Sequence, residues 1–143
     1  MGYPHYSTEC GEHHGLVRDF GGKRPRIVCL CGSSRFYDEY QQAYYDLTMQ
    51  GEIVLSVGFY PHAKAEHGHG EGVGHDSAEK IALDELHRRK IDLADYVLVL
   101  NVGQYVGDST RSEIEYAREH GKDIVFLEPV PLENVGSALG VKP

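Results

Sequence analysis

The sequence predicts an α/β domain built as a three-layer, doubly wound parallel sheet of about five strands. Three observations carry this. Short β-branched runs alternate strictly with segments of helical period. The first run, Ile27–Cys31, is apolar at every position, as expected of a strand covered on both faces. Glycine and hydroxyl residues follow the runs, where a strand turns into a helix. Right-handed βαβ units follow from that order. With 143 residues the chain can bury one hydrophobic core but not two.

Residues 1–25 mix Gly, His, Pro and charge without a period and read as an irregular arm, leaving 26–143 as a single α/β domain. Ile27–Cys31 is the first strand, ended by Gly32. Phe36, Tyr40, Ala43, Tyr44 and Leu47 recur at helical spacing, with Ser33 or Ser34 as the N-cap. Ile53 to Gly58 gives a second strand, and Phe59 to His75, rich in Gly and His, a long loop. Asp76 and Glu79 form a capping box that opens a second helix ending near Ala94, with Ile81, Ala82, Leu86 and Leu93 as its apolar stripe. Tyr96–Leu100 is the central strand. Thr110 to His120 is a third helix, with Thr110-x-x-Glu113 as a capping box, Ile114 and Ala117 facing inward and Gly121 closing it. Ile124–Leu127 is the next strand, and the tail has room for a short helix around Leu132 to Leu139.

Composition narrows the function. Hydrophobic residues make up 41% of the chain, yet no apolar run approaches the roughly 20 residues that span a bilayer. The segment from Met1 to Arg26 has no apolar core of a secretory signal, so the expected address is cytoplasmic. Cys10, Cys29 and Cys31 are an odd number of cysteines, the last two in a buried strand, so disulfides are not expected. A net charge of −8 with no basic stripe argues against long nucleic acids. Net charge does not exclude a small anion, because a few backbone N–H groups and one arginine hold it locally.

In an open parallel sheet, ligands sit beyond the carboxyl ends of the strands. Two segments fit that crevice. In Cys31-Gly32-Ser33-Ser34-Arg35, glycine allows close backbone approach, hydroxyls and unpaired N–H groups open a helix, and a guanidinium lies beside them. Gly107 to Glu113 opens another helix with Ser109, Thr110 and Arg111, and Asn101 ends the central strand between the two. Taken alone, Ser33 is only a cap and Thr110-x-x-Glu113 only a capping box. Two such helix starts facing one another imply an elongated polar ligand such as a nucleotide. His62, His67, His69 and His75 suggest a lid, but neither they nor Cys10, His13 and His14 have zinc-site spacing. No metal and no cofactor are expected.

The strand ending in Cys31-Gly32-Ser33-x-Arg35, the helix leading into Ala94-Asp95, and Thr110-x-x-Glu113-Ile114-x-Tyr116-Ala117-x-x-x-Gly121-Lys122 form a set. From about Arg26 to Leu127 it resembles the nucleoside 2-deoxyribosyltransferase superfamily, which includes the 2′-deoxynucleoside 5′-phosphate N-hydrolases. The resemblance implies a Rossmann-like or flavodoxin-like fold and cleavage of the base–sugar bond of a nucleoside 5′-monophosphate, by hydrolysis or transfer. Glu113 would attack the anomeric carbon. Ser33 and Arg35 would hold the phosphate, with Ser109 or Thr110 completing the site. It also implies a homo-oligomer, for which ten tyrosines supply amphipathic surface. Cys29 stands where that family has tyrosine, and His87 where it has aspartate. With an ordinary pKa of about 6.5, His87 suits protonation of a leaving base and is the second catalytic candidate. The alternative is a non-catalytic nucleotide-binding or sensing module using the same crevice.

Overall fold

The apolar runs form a parallel sheet, and the segments between them form the helices that cover it. The computed structural model describes residues 23–58 and 78–131. Its elements are β1 (Ile27–Cys31), α1 (Tyr37–Met49), β2 (Ile53–Leu55), α2 (Ala78–Leu93), β3 (Tyr96–Val99), a 3-10 turn (Val102–Gln104), α3 (Asp108–Glu119) and β4 (Asp123–Phe126). The strand order is β2-β1-β3-β4, with every neighbouring pair parallel. This is the doubly wound α/β arrangement, with four strands among the described residues against about five expected. The arm, the loop at Phe59 to His75, the Asp76 cap and the tail helix lie outside the described residues, apart from the last few residues of the arm. No described helix is long and apolar enough to cross a membrane.

Alternation along the strands divides the core. Val28, Leu30, Tyr96, Leu98 and Leu100 face α1, where Tyr40 and Ala43 meet them. Cys29, Cys31, Val97 and Val99 face the other way, against Ile91 of α2, Ala94 just after it, and Ile114 and Ala117 of α3. Asp95 ties the sheet edge together. Its carboxylate accepts from the backbone N–H of Ile27 at 2.8 Å and from Arg24 at 2.7 and 2.9 Å.

Four local expectations are corrected. β2 ends at Leu55, and Ser56 to Gly58 leave the sheet. The N-cap of α1 is Phe36, without a side-chain bond, rather than Ser33 or Ser34. The chain first makes a tight turn in which Ser33 Oγ accepts from Arg35 N at 3.2 Å and Ser33 O from Phe36 N at 3.0 Å, so the helix starts a few residues late. The inward stripe of α2 is His87 and Ile91, while Ile81, Leu86 and Leu93 are 64%, 50% and 64% exposed. Polar partners on β1 and α3 draw a histidine inward that hydropathy alone would place outside. Finally, α3 starts at Asp108 behind the Gly107 N-cap, so Thr110 lies inside the helix with its side chain buried. The expected capping box is therefore not the N-terminus of this helix. Gly121, at φ 74°, does end it in the left-handed conformation that glycine accommodates.

Candidate functional site

β1 and β3 are neighbours in the sheet, and their outgoing connections run to opposite faces. That is the topological switch point of a doubly wound sheet, and a crevice opens there beyond the strand ends. It is a cleft of about 360 Å³. Gly32, Ser33 and Ser34 form one wall, and Asp108, Ser109 and Thr110 at the start of α3 form another. Lys80, Asp84, His87 and Lys90 of α2 line it further, and Glu113 belongs to the same cleft. A smaller recess of about 250 Å³ shares Asp84, Asp108, Ser109 and Glu113 and adds Arg88 and Ser112. Gly32 lets the chain pack closely at this wall, where a Cβ would come within 3.1 Å of Leu100 Cβ and 3.3 Å of its carbonyl oxygen. Tyr40 fastens the turn from below by donating to Gly32 O at 2.8 Å.

Four ionisable side chains from three elements converge beside the cleft. Cys29 and Cys31 come from one face of β1, His87 from α2 and Glu113 from α3. His87 Nε2 lies 3.7 Å from Cys29 Sγ, 3.5 Å from Cys31 Sγ and 3.7 Å from Glu113 Oε1. The His87 side chain is 3% exposed, and its Nδ1 has no hydrogen-bond partner among the described residues. Burial pushes the Glu113 carboxyl up to about 7, against the opposing pull of His87. Burial also disfavours the His87 cation, but hydrogen bonding to Cys29 and the Glu113 charge outweigh it and raise its pKa. The two thiols are linked: hydrogen bonding from Cys31 pulls Cys29 down, while the same bond and burial hold Cys31 well up.

The fold brings together Gly32, Ser33, Ser34, His87, Ser109, Thr110 and Glu113 from the residues singled out in the sequence. The others lie elsewhere. Arg35 stacks on Tyr105, its guanidinium 4.3 Å from the ring centre, and Tyr105 in turn lines the cleft. Asn101 is buried in a structural role: its Nδ2 donates to Glu128 O at 2.9 Å and its Oδ1 accepts from Glu128 N at 2.8 Å. Arg111 does not line the cleft.

Sequence reasoning missed Lys80, Asp84, Lys90, Tyr105 and the grouping of the two strand cysteines. Lys80 pairs with Asp84 one helical turn on, at 2.7 Å, and Lys90 Nζ donates to Ser56 O at 2.6 Å. For the cysteines a signal was present in their spacing of two along a strand, which puts both on one face. Local spacing does not point that face at His87, 56 residues beyond Cys31; only the resemblance set Cys29 and His87 among the positions it matched.

No protein-family model and no curated protein matches the chain. Among solved structures, the fold is similar to that of a 2-deoxyribosyltransferase from the psychrotolerant bacterium Bacillus psychrosaccharolyticus. That protein is described as a biocatalyst for the synthesis of antiviral and antitumoral nucleosides. The identity is 16% and the TM-score 0.50, over 75% of this chain and 78% of that one, so the likeness is one of fold.

Proposed function

We propose that this chain cleaves the base–sugar bond of a nucleoside 5′-monophosphate, as an N-glycosidase or a deoxyribosyltransferase-like enzyme. The observation that carries the reading is Glu113, a carboxyl group in the cleft at the switch point, between the tight turn at Gly32 to Ser34 and the N-terminus of α3. An N-glycosidic bond breaks when a carboxylate attacks or stabilises the anomeric carbon while a fixed phosphate orients the sugar. Glu113 supplies the first. The backbone N–H groups of the turn at Ser33 and Ser34 and those in the first turn of α3 at Ser109 and Thr110 supply the second, with Tyr105, on which Arg35 stacks, lining the cleft. His87 acts here as the partner of Glu113, since its Nε2 faces that carboxylate and the thiols.

Purified protein incubated with a panel of deoxyribo- and ribonucleoside 5′-monophosphates tests the reading, with free base measured by chromatography. Base release from at least one of them, abolished by Glu113→Gln, is the expected result. The second reading is a nucleotide-binding module without chemistry. It is favoured by Cys29 and His87, which replace the tyrosine and aspartate of the resembled family. Tight nucleotide binding with no base released would establish it. Self-association belongs to both readings: Leu86 and Leu93 are exposed at half or more of their surface. A particle of 16.0 kDa in light scattering at micromolar concentration would remove that element.

A further inference from the structure

Glycosidic chemistry gives Glu113 a task but leaves the two thiols beside it without one. Cys29 and Cys31 are both free and fully buried. They cannot bond to each other in place: strand residues two apart have Cα atoms about 6.6 Å apart with side chains running parallel, whereas a disulfide needs Cβ atoms within about 4.5 Å. They do share a neighbour. The sulfurs and a ring nitrogen of His87 all lie within 4.8 Å of one another.

We propose that Cys29 Sγ, Cys31 Sγ and His87 Nε2 form a three-ligand site for a thiophilic divalent metal of the zinc class, its fourth position on the side of Glu113. The distances match. Tetrahedral zinc with Zn–S near 2.3 Å and Zn–N near 2.05 Å places sulfur and nitrogen about 3.6 Å apart. The observed separations are 3.7 and 3.5 Å. Glu113 Oε1 lies 3.7 Å from the same nitrogen, beyond a good hydrogen bond but near the spacing of two donors around one ion. Two sulfurs and an imidazole select zinc over magnesium or calcium, which take oxygen ligands. Binding displaces to solvent the protons held by the thiols and the imidazole, and the two thiolates offset the charge of the ion. In this arrangement Nε2 of His87 holds the metal and cannot carry a proton to a leaving base. The metal site stands independently of the reading of the cleft, because its readout is the metal.

Cobalt(II) titrated into the reduced, metal-free full-length chain tests it. The expected result is one cobalt per chain with a thiolate-to-cobalt charge-transfer band, displaced stoichiometrically by zinc. Cys29→Ser, Cys31→Ser and His87→Gln should each weaken binding by more than the roughly 10–100-fold that loss of an outer partner of a ligand costs. Zinc should raise the melting temperature of the parent chain but not of His87→Gln, a comparison that survives poor folding of a cysteine variant. The band should persist in Cys10→Ser, in a chain with His62, His67, His69 and His75 changed to alanine, and in Glu113→Gln. Absence of the band in the parent, parental affinity in both strand-cysteine variants, or loss of the band with Cys10→Ser would overturn the site. Metal binding without base release sinks only the catalytic reading, and base release without metal binding sinks only the metal site.

Discussion

β1 sends Val28 and Leu30 toward α1 and Cys29 and Cys31 toward α2 and α3, and all four are fully buried. The face toward α1 is almost wholly apolar, and its one phenol near the cleft, Tyr40, is satisfied by the Gly32 carbonyl. The opposite face holds a histidine, two thiols and a carboxyl within a few ångströms, and each loses hydration there. The two faces are equally closed at β1, so solvent access does not distinguish them. What differs is the kind of group taken out of water. Both faces carry an apolar core, and the one toward α2 and α3 holds ionisable groups in addition, each at a cost in desolvation.

Glu113→Gln probes this division most sharply. Base release should fall on the order of 10³-fold, because an amide cannot attack or stabilise an anomeric centre. Thermal melting should show little loss, since the change removes a buried ionisable group. Near-parental turnover would make Glu113 structural and erase the contrast. Leu30→Ala, one residue from both thiols but on the other face, should cost about 3 kcal/mol in denaturant unfolding. Its turnover per folded molecule should stay unchanged; a matching loss of turnover would show that the faces are not separable.

Asn101→Ala falls between the two. It strips Glu128 N and O of their partner where β3 ends and should cost about 2 kcal/mol with a modest effect on turnover. The smallest effect belongs to Asp95, at the start of β1 rather than at its cleft end. Arg24 and the Ile27 N–H hold its carboxyl below the usual range, so its contribution is present above the unfolded pKa of about 3.9 and fades as pH falls below that. Melting temperatures followed down through about pH 4 should fall less steeply for Asp95→Asn than for the parent. Parallel curves would remove Asp95 from the acid response.

The strands were legible because burial on both faces demands an unbroken apolar run, and Ile27–Cys31 and Tyr96–Val99 meet that demand. Helix starts were less so. Gly107, Asp108, Ser109 and Thr110 can each stand at or near an N-terminus, and the sequence does not rank them. The inward face of α2 was misread for a different reason: an apolar stripe is drawn by counting hydrophobic residues, and here the buried side chain is His87. Glu113 was found, but as one end of a capping box or as a nucleophile. Its packing against His87 and the thiols depends on two helices crossing one sheet face, and local spacing does not encode that.

The position of β1 also sets the order in which the molecule can be assembled. Its flank toward β3 is completed by Tyr96–Val99, and the bond from Ile27 to Asp95 closes a span of 68 residues. Closing so long a loop before any reward arrives is slow relative to local helix formation. On the ribosome, the most hydrophobic strand of the N-terminal half therefore waits, with one ladder of backbone groups open, until the second half emerges. Nascent chains stopped before Tyr96 should be protease-sensitive and chaperone-bound, and protection should appear in one step once Val99 has cleared the exit tunnel.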